Sequence, residues 1–208
     1  MEKLIKDIKR LMGTNVKDKI DSRIKEFNIT GRKDNFTLFK ELCFCILTAN
    51  FNAEKSIRIQ REIDNGFLLL SEEKLVDKLQ KNGHRYPKSR AKYIVEARRY
   101  KNVLKKIIES SRDEYDLREW LVRNIKGIGY KEASHFLRNI GFKNIAIVDF
   151  HIIDLLSRYN LIEKPKYLSK NIYFQIEKLL RKIAKKTGVS PAELDLYMWY
   201  METGKILK

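Results

Sequence analysis

The chain has 208 residues, with 44 Lys and Arg against 27 Asp and Glu, a formal net charge of +17. This length suits one domain or two small ones sharing a core. The cationic excess favours a polyanionic partner, with nucleic acid ahead of an anionic membrane surface, and no apolar run is long enough to span a bilayer.

Helical periodicity dominates from the N-terminus onward. "MEKLIKDIKRLMG" alternates charged and apolar residues and has no cleavage site of the signal-peptide type. Phe36, Phe39, Leu42, Cys43, Ile46 and Leu47 recur at the spacing of one helical face. Cys43 and Cys45 in "ELCFCILTAN" read as core residues. A lone Cys-x-Cys is neither a disulfide framework nor a zinc site, and a reducing cytoplasm follows. Ala53, Ile57 and Ile63 continue a second helix. Ser71 is suited to cap a third, with Asn82-Gly83 ending it. "NGHRYPKSR" reads as a basic, turn-rich loop. One long helix is expected to carry Ala91 through Ile108, and Asp116 to cap the next, whose inner face is Leu117, Trp120, Leu121 and Ile125.

Further on, Asp149 is placed to cap "VDFHIIDLLSRYN", and "NIYFQIEKLLRKIAKKTG" reads as a helix ending at Gly188. Ser190, Pro191 and Glu193 form a cap, a first-turn proline and a capping box, and Gly204 stops that helix. Alternating β-type runs are scarce. The expectation is an all-α protein of roughly ten helices.

The segment "IKGIGYKEASHFLRNIGFKNIAIVDFH", Ile125 to His151, carries the strongest signal of chemistry. Gly127 and Gly129 separate two amphipathic helices. Glycine permits positive φ and a bare backbone, and the following helix N-terminus points its free N–H groups and positive dipole end the same way. That arrangement suits a phosphate, although a plain helix–helix turn has the same composition. Ala133, Phe136, Leu137 and Ile140 share one face of the next helix, while Lys131, His135 and Arg138 share another. Lysine at a helix start is electrostatically unfavourable. A free lysine has a pKa of about 10.4, so only about one in 2,500 is neutral at pH 7. The dipole, Arg138 and partial burial are all expected to lower it, which would make Lys131 a nucleophile.

"IKGIGYKEA" resembles the helix-hairpin-helix of base-excision DNA glycosylases, with the catalytic lysine at Lys131, and "VDFH" resembles their aspartate segment, with the aspartate at Asp149. This superfamily resemblance covers Phe36 to about Tyr159. "KEASHFLRNIGF" and the terminal Lys208 look closest to the archaeal type-2 8-oxoguanine DNA glycosylase/AP lyase family, over essentially the whole chain.

The resemblance implies an all-α, two-lobed helix-hairpin-helix glycosylase fold with the active-site cleft between the lobes. Residues 31–145 would form a central lobe ending in the hairpin motif at about 117–140, and residues 1–30 with 146–208 the second lobe. It implies a bifunctional enzyme acting on double-stranded DNA containing oxidised guanine, as a monomer away from membranes. The damaged base is extruded, Lys131 attacks C1′ to form a Schiff base, Asp149 stabilises the sugar cation, and β-elimination nicks the strand. Gly127 and Gly129 would hold a DNA phosphate. Asn50, in "LTAN", would fill the gap left by the base, and Arg85 or Tyr86 would wedge the duplex unless their loop is only a solvated phosphate contact.

His135, Trp199 and Lys208 would line the base pocket. The core is the ordinary place for the first two. Trp199 lies off the stripe of Leu194, Tyr197, Met198 and Met201, which suits stacking on a purine. Lys208 is the position implied to separate 8-oxoguanine from guanine, which differ at N7 in donating or accepting a hydrogen bond. Cluster-bearing relatives carry four cysteines after the aspartate. This chain has none beyond Cys45, so no iron–sulfur cluster is expected, whereas a monovalent cation under the hairpin is. Two other readings share the hairpin: a glycosylase for another oxidised base, and a non-catalytic DNA-binding module.

Overall fold

The computed structural model describes residues 1–208, in thirteen α-helices with no strand. The helices are α1 (Glu2–Met12), α2 (Asn15–Gly31), α3 (Asn35–Thr48), α4 (Ala53–Ile63), α5 (Gly66–Leu69), α6 (Glu72–Lys81) and α7 (Pro87–Ala97). They continue with α8 (Leu104–Ser110), α9 (Glu114–Asn124), α10 (Tyr130–Asn139), α11 (Phe150–Arg158), α12 (Lys170–Thr187) and α13 (Pro191–Thr203).

Local start and stop signals act where the sequence places them. Ser71 accepts from Lys74 N–H, Asp149 from Ile152 N–H and Ser190 from Glu193 N–H, each at a helix start. Gly188 and Gly204 end their helices in the left-handed conformation. Two expectations are corrected. The cap of α9 is Asp113, whose Oδ1 accepts from Tyr115 and Asp116 N–H at 2.9 and 2.8 Å, so Asp116 lies in the first turn. The long helix through Ile108 is broken by a 3-10 turn at Arg98–Tyr100. The side chain of Asn35 holds the restart: it donates to Asn102 O at 2.9 Å and accepts from Lys105 N–H at 2.8 Å.

The chain divides into two compact units: Thr30–Ile140, and Met1–Ile29 with Gly141–Lys208. In the first, α3 packs against α4, α5, α7, α8 and α10. A helix surrounded in this way is buried all round, not on one stripe. Every residue from Glu41 to Ala49 is buried, while Phe36, in the first turn, is 48% exposed. The charge within this helix is satisfied, since Glu41 Oε1 accepts from Asn139 Nδ2 at 2.7 Å. Cys43 and Cys45 are free and buried here, and burial pushes the Cys43 thiol well above its ordinary range.

The second unit packs α12 and α13 together and against α1, with α11 on α13. Residues 141–145, expected with the hairpin lobe, belong to this unit. Gly141 opens the segment at φ +99, and a Cβ there would lie 3.1 Å from Asn28 Cα.

Candidate active site

The hairpin between α9 and α10 uses its two glycines differently. Gly127 has φ +80, and a Cβ on it would lie 2.5 Å from Tyr93 Cδ2, so both conformation and packing require glycine. Gly129 is extended at φ −96 and ψ −172, a conformation open to any residue, and acts as the N-cap of α10. Its N–H donates to Glu132 Oε2 at 3.3 Å. Glycine has no side chain to return that bond, so only half of a capping box forms. The expected phosphate donor at Gly129 is thus engaged by the protein's own carboxylate. The N–H groups without intrahelical acceptors are those of the first turn, including Lys131. Two side-chain pairs stiffen the motif. Tyr130 Oη donates to both Glu119 carboxylate oxygens at 3.0 and 3.1 Å, and Arg118 Nη1 to Ser134 Oγ at 3.2 Å.

Lys131 stands in that first turn with its side chain 24% exposed and Nζ 3.7 Å from Glu132 Oε1. Its close charged neighbour is therefore a carboxylate. Arg138 is not the expected neighbour. It is 5% exposed and donates to Asn139 Oδ1 at 3.0 and 3.1 Å, which carries its guanidinium into the network around Glu41. Helical spacing puts the two residues on one face but says nothing of where a long side chain turns. His135 is 6% exposed and packs edge-on against Phe44, with ring centroids 5.5 Å apart, inside the same unit.

Asn50 is exposed in a left-handed conformation at φ 55, just after α3. Arg85 is exposed too, its guanidinium 5.2 Å from the ring of half-buried Tyr86. With Lys131, His135 and the hairpin, these residues belong to the Thr30–Ile140 unit. Asp149, Trp199 and Lys208 belong to the other.

Asp149 follows a segment without helix or strand, Ile145–Val148, that is wholly buried. Buried backbone groups need partners, and no strand supplies them. Helix α12 does so with side chains. Ala146 N–H donates to Glu177 Oε1 at 3.3 Å, Tyr173 Oη donates to Ala146 O at 3.1 Å, and Val148 N–H donates to Tyr173 Oη at 3.4 Å. Glu177 is fully buried, with its other oxygen held by Arg181 at 3.0 Å. Asp149 Oδ1 then accepts from Ile152 N–H at 2.9 Å. An ionised carboxylate has about four lone-pair sites, so capping leaves acceptor capacity for chemistry.

Trp199 is half-buried, and its indole Nε1 is buried without a hydrogen-bond partner. Its ring meets exposed His151 edge-on at 4.5 Å. A buried, unpaired indole N–H is a donor awaiting an acceptor. Lys208 is half-buried at the end of the stretch that follows Gly204. Sequence reasoning did not single out His151, Tyr173 or Glu177. The first stands within the quoted "VDFH", whereas the other two read only as positions on an amphipathic helix.

Comparison with known proteins identifies the family. The family model for 8-oxoguanine DNA glycosylase matches residues 20–189. A Korarchaeum cryptofilum protein described as 8-oxoguanine DNA glycosylase/AP lyase is 54% identical over 209 residues, covering 100% of this chain and 99% of its own. The crystal structure of Methanocaldococcus jannaschii 8-oxoguanine glycosylase/lyase, in complex with a 15mer DNA containing 8-oxoguanine, matches with a TM-score of 0.96 at 55% identity, covering 99% of both chains. The 8-oxoguanine DNA glycosylase of Thermotoga maritima matches with a TM-score of 0.94 at 47% identity, covering 100% of both. With agreement in sequence and fold along its whole length, the chain belongs to the 8-oxoguanine DNA glycosylase family.

Proposed function

We propose that the protein excises 8-oxoguanine from double-stranded DNA and then nicks the strand as an AP lyase, with Lys131 as nucleophile and Asp149 as the group that stabilises the sugar cation. C1′ is out of reach while the base is stacked, so the nucleotide is first extruded. As the C1′–N9 bond breaks, its electron pair leaves with the base, which takes up a proton, and the Asp149 carboxylate offsets the positive charge at the sugar. Lys131 Nζ bonds to C1′ and loses its protons as the sugar ring opens, giving an imine. Loss of the C2′ proton then expels the 3′ phosphate by β-elimination. Asn50 would fill the vacated stack, Arg85 and Tyr86 would wedge the duplex, and His135, Trp199 and Lys208 would surround the extruded base. A monovalent cation, held by hairpin backbone carbonyls, would stiffen the hairpin and takes no part in these steps.

The observation that carries this reading is the conjunction, in a chain of this family, of a lysine in the first turn after the hairpin and a capping aspartate held on a buried segment. Borohydride trapping on duplexes, each with one lesion, tests it. An adduct is expected with 8-oxoguanine and should vanish in Lys131→Gln. Duplex binding should persist, because one amine among 44 basic residues contributes little phosphate affinity. Trapping on an oxidised pyrimidine alone would assign another lesion, and adduct formation by Lys131→Gln at the wild-type rate would remove the lysine from the mechanism.

A further inference from the structure

We propose that His84 and Arg90 are positioning residues for base extrusion, clamping the turn that presents Asn50 and joining it through α7 to the hairpin that carries Lys131. This rests on the function proposed above and deepens it.

The turn is held from outside its own sequence. Helix α3 ends at Thr48, and its last carbonyls have no intrahelical partner. Leu47 O meets His84 Nε2 at 3.0 Å, and Ala49 O accepts from Arg90 Nη2 at 2.7 Å. Thr48 O accepts from Phe51 N–H at 3.2 Å, closing the turn around Asn50. A non-glycine residue at positive φ persists when its surroundings over-determine it, and here the Leu47, Thr48 and Ala49 carbonyls that lead into Asn50 are all held.

The His84 ring is used at both nitrogens. Nδ1 accepts from Tyr86 N–H at 3.0 Å, so Nε2 carries the proton and donates to Leu47 O. One imidazole thus joins the Asn50 turn to the backbone of Arg85–Tyr86. The Phe51 ring lies 4.1 Å from it.

Arg90 is 8% exposed, and its Nε is buried without a partner. Desolvating a guanidinium to serve a carbonyl is costly, and a packing role alone would be better met by an apolar side chain. Its guanidinium also lies 5.7 and 5.8 Å from the rings of Tyr86 and Tyr93. Tyr93, one turn on, is the ring that packs against Gly127 in the hairpin. Helix α7 is therefore a bracket, with the gap-filling turn held at its N-terminal end and the hairpin against Tyr93.

The test compares a step that needs extrusion with one that does not. Arg90→Met and His84→Leu should each lower 8-oxoguanine excision from duplex by about tenfold, as expected for slight misplacement of a positioned group. Nicking of a preformed abasic site in a single strand should stay within about twofold of wild type. Arg90→Lys, which keeps a donor for Ala49 O, should recover most of the loss. Fluorescence of 2-aminopurine placed beside the lesion reads extrusion without chemistry and should fall in the same variants.

Equal loss on both substrates would reduce the pair to ordinary structural residues, and no loss on either would equally overturn the proposal. If the wild type neither excises nor nicks, the function proposed above fails while the fluorescence still reads the clamp. Should Arg90→Met not fold, His84→Leu and Arg90→Lys decide.

Discussion

The two hairpin glycines should respond very unequally to the same methyl group. In Gly127→Ala, the left-handed conformation at φ +80 costs an L-residue roughly 1–2 kcal/mol. The new Cβ also lies 2.5 Å from Tyr93 Cδ2, so the ring must move, and such overpacking costs about 1–3 kcal/mol. Together these give about 2–5 kcal/mol, and at this chain length each kcal/mol lowers the melting temperature by about 2–4 °C. A fall of about 10 °C is expected, with duplex affinity reduced because the first turn of α10 shifts with the hairpin. In Gly129→Ala, the backbone is extended at φ −96 and the nearest atom is the flexible Glu132 Oε2 at 3.4 Å. Only the preference for glycine over alanine at an N-cap is lost, about 0.5–1 kcal/mol. Thermal unfolding of both variants measures the contrast. Tyr93→Ala in the Gly127→Ala background should recover the packing part but not the conformational part, a coupling that a double-mutant cycle isolates. Equal melting temperatures for the two single variants would refute the assignment of separate roles.

Asp149→Asn should unfold within about 2 °C of wild type, since asparagine caps as well as aspartate, yet its trapped adduct should form slower by orders of magnitude. Full activity in that variant would leave Asp149 as a cap alone. Tyr173→Phe removes the hydroxyl shared by Ala146 O and Val148 N–H, leaving two buried backbone groups unmatched at a cost of about 2 kcal/mol. It should slow excision while duplex affinity in a binding assay stays unchanged. Burial pushes the His84 imidazole below its ordinary 6.5. The unfolded chain then takes up a proton that the clamp does not, so the clamp's stability is complete above 6.5 and is lost as pH falls below it. Denaturant unfolding at about pH 7 and about pH 5 should show the stability gap between wild type and His84→Gln narrowing in acid.

The features legible in the sequence are those whose partners lie within one turn. Ser71, Asp149 and Ser190 each accept from an N–H three residues on, so their type and spacing suffice to place a helix start. Asp113 and Asp116 compete for one cap by the same rule, and the choice turns on which of them is extended, a backbone fact that residue type does not carry. The break after α7 is invisible to periodicity, because the side chain that restarts the helix at Lys105 is Asn35, 70 positions away. His135 and Arg138 show the same limit on a single helix: spacing gave their face, while Phe44 and Asn139 set where they point.

The two candidate catalytic groups repeat this division. Lys131 and Asp149 each stand at a helix start that a short motif specifies. The backbone leading to each is held by remote residues: Tyr93 against Gly127 for one, Tyr173 and Glu177 against Ala146 and Val148 for the other. The candidate reactive groups are therefore readable locally, whereas their rigidity comes from side chains about 25–35 positions away in the chain. Transplanting "KGIGYK" and "VDFH" onto another helical hairpin would move the candidate nucleophile and carboxylate without the supports that fix them. A lysine and an aspartate left loose by even about 1 Å forfeit about a hundredfold in rate, so such a graft should bind DNA yet form the trapped adduct at least about a hundredfold more slowly.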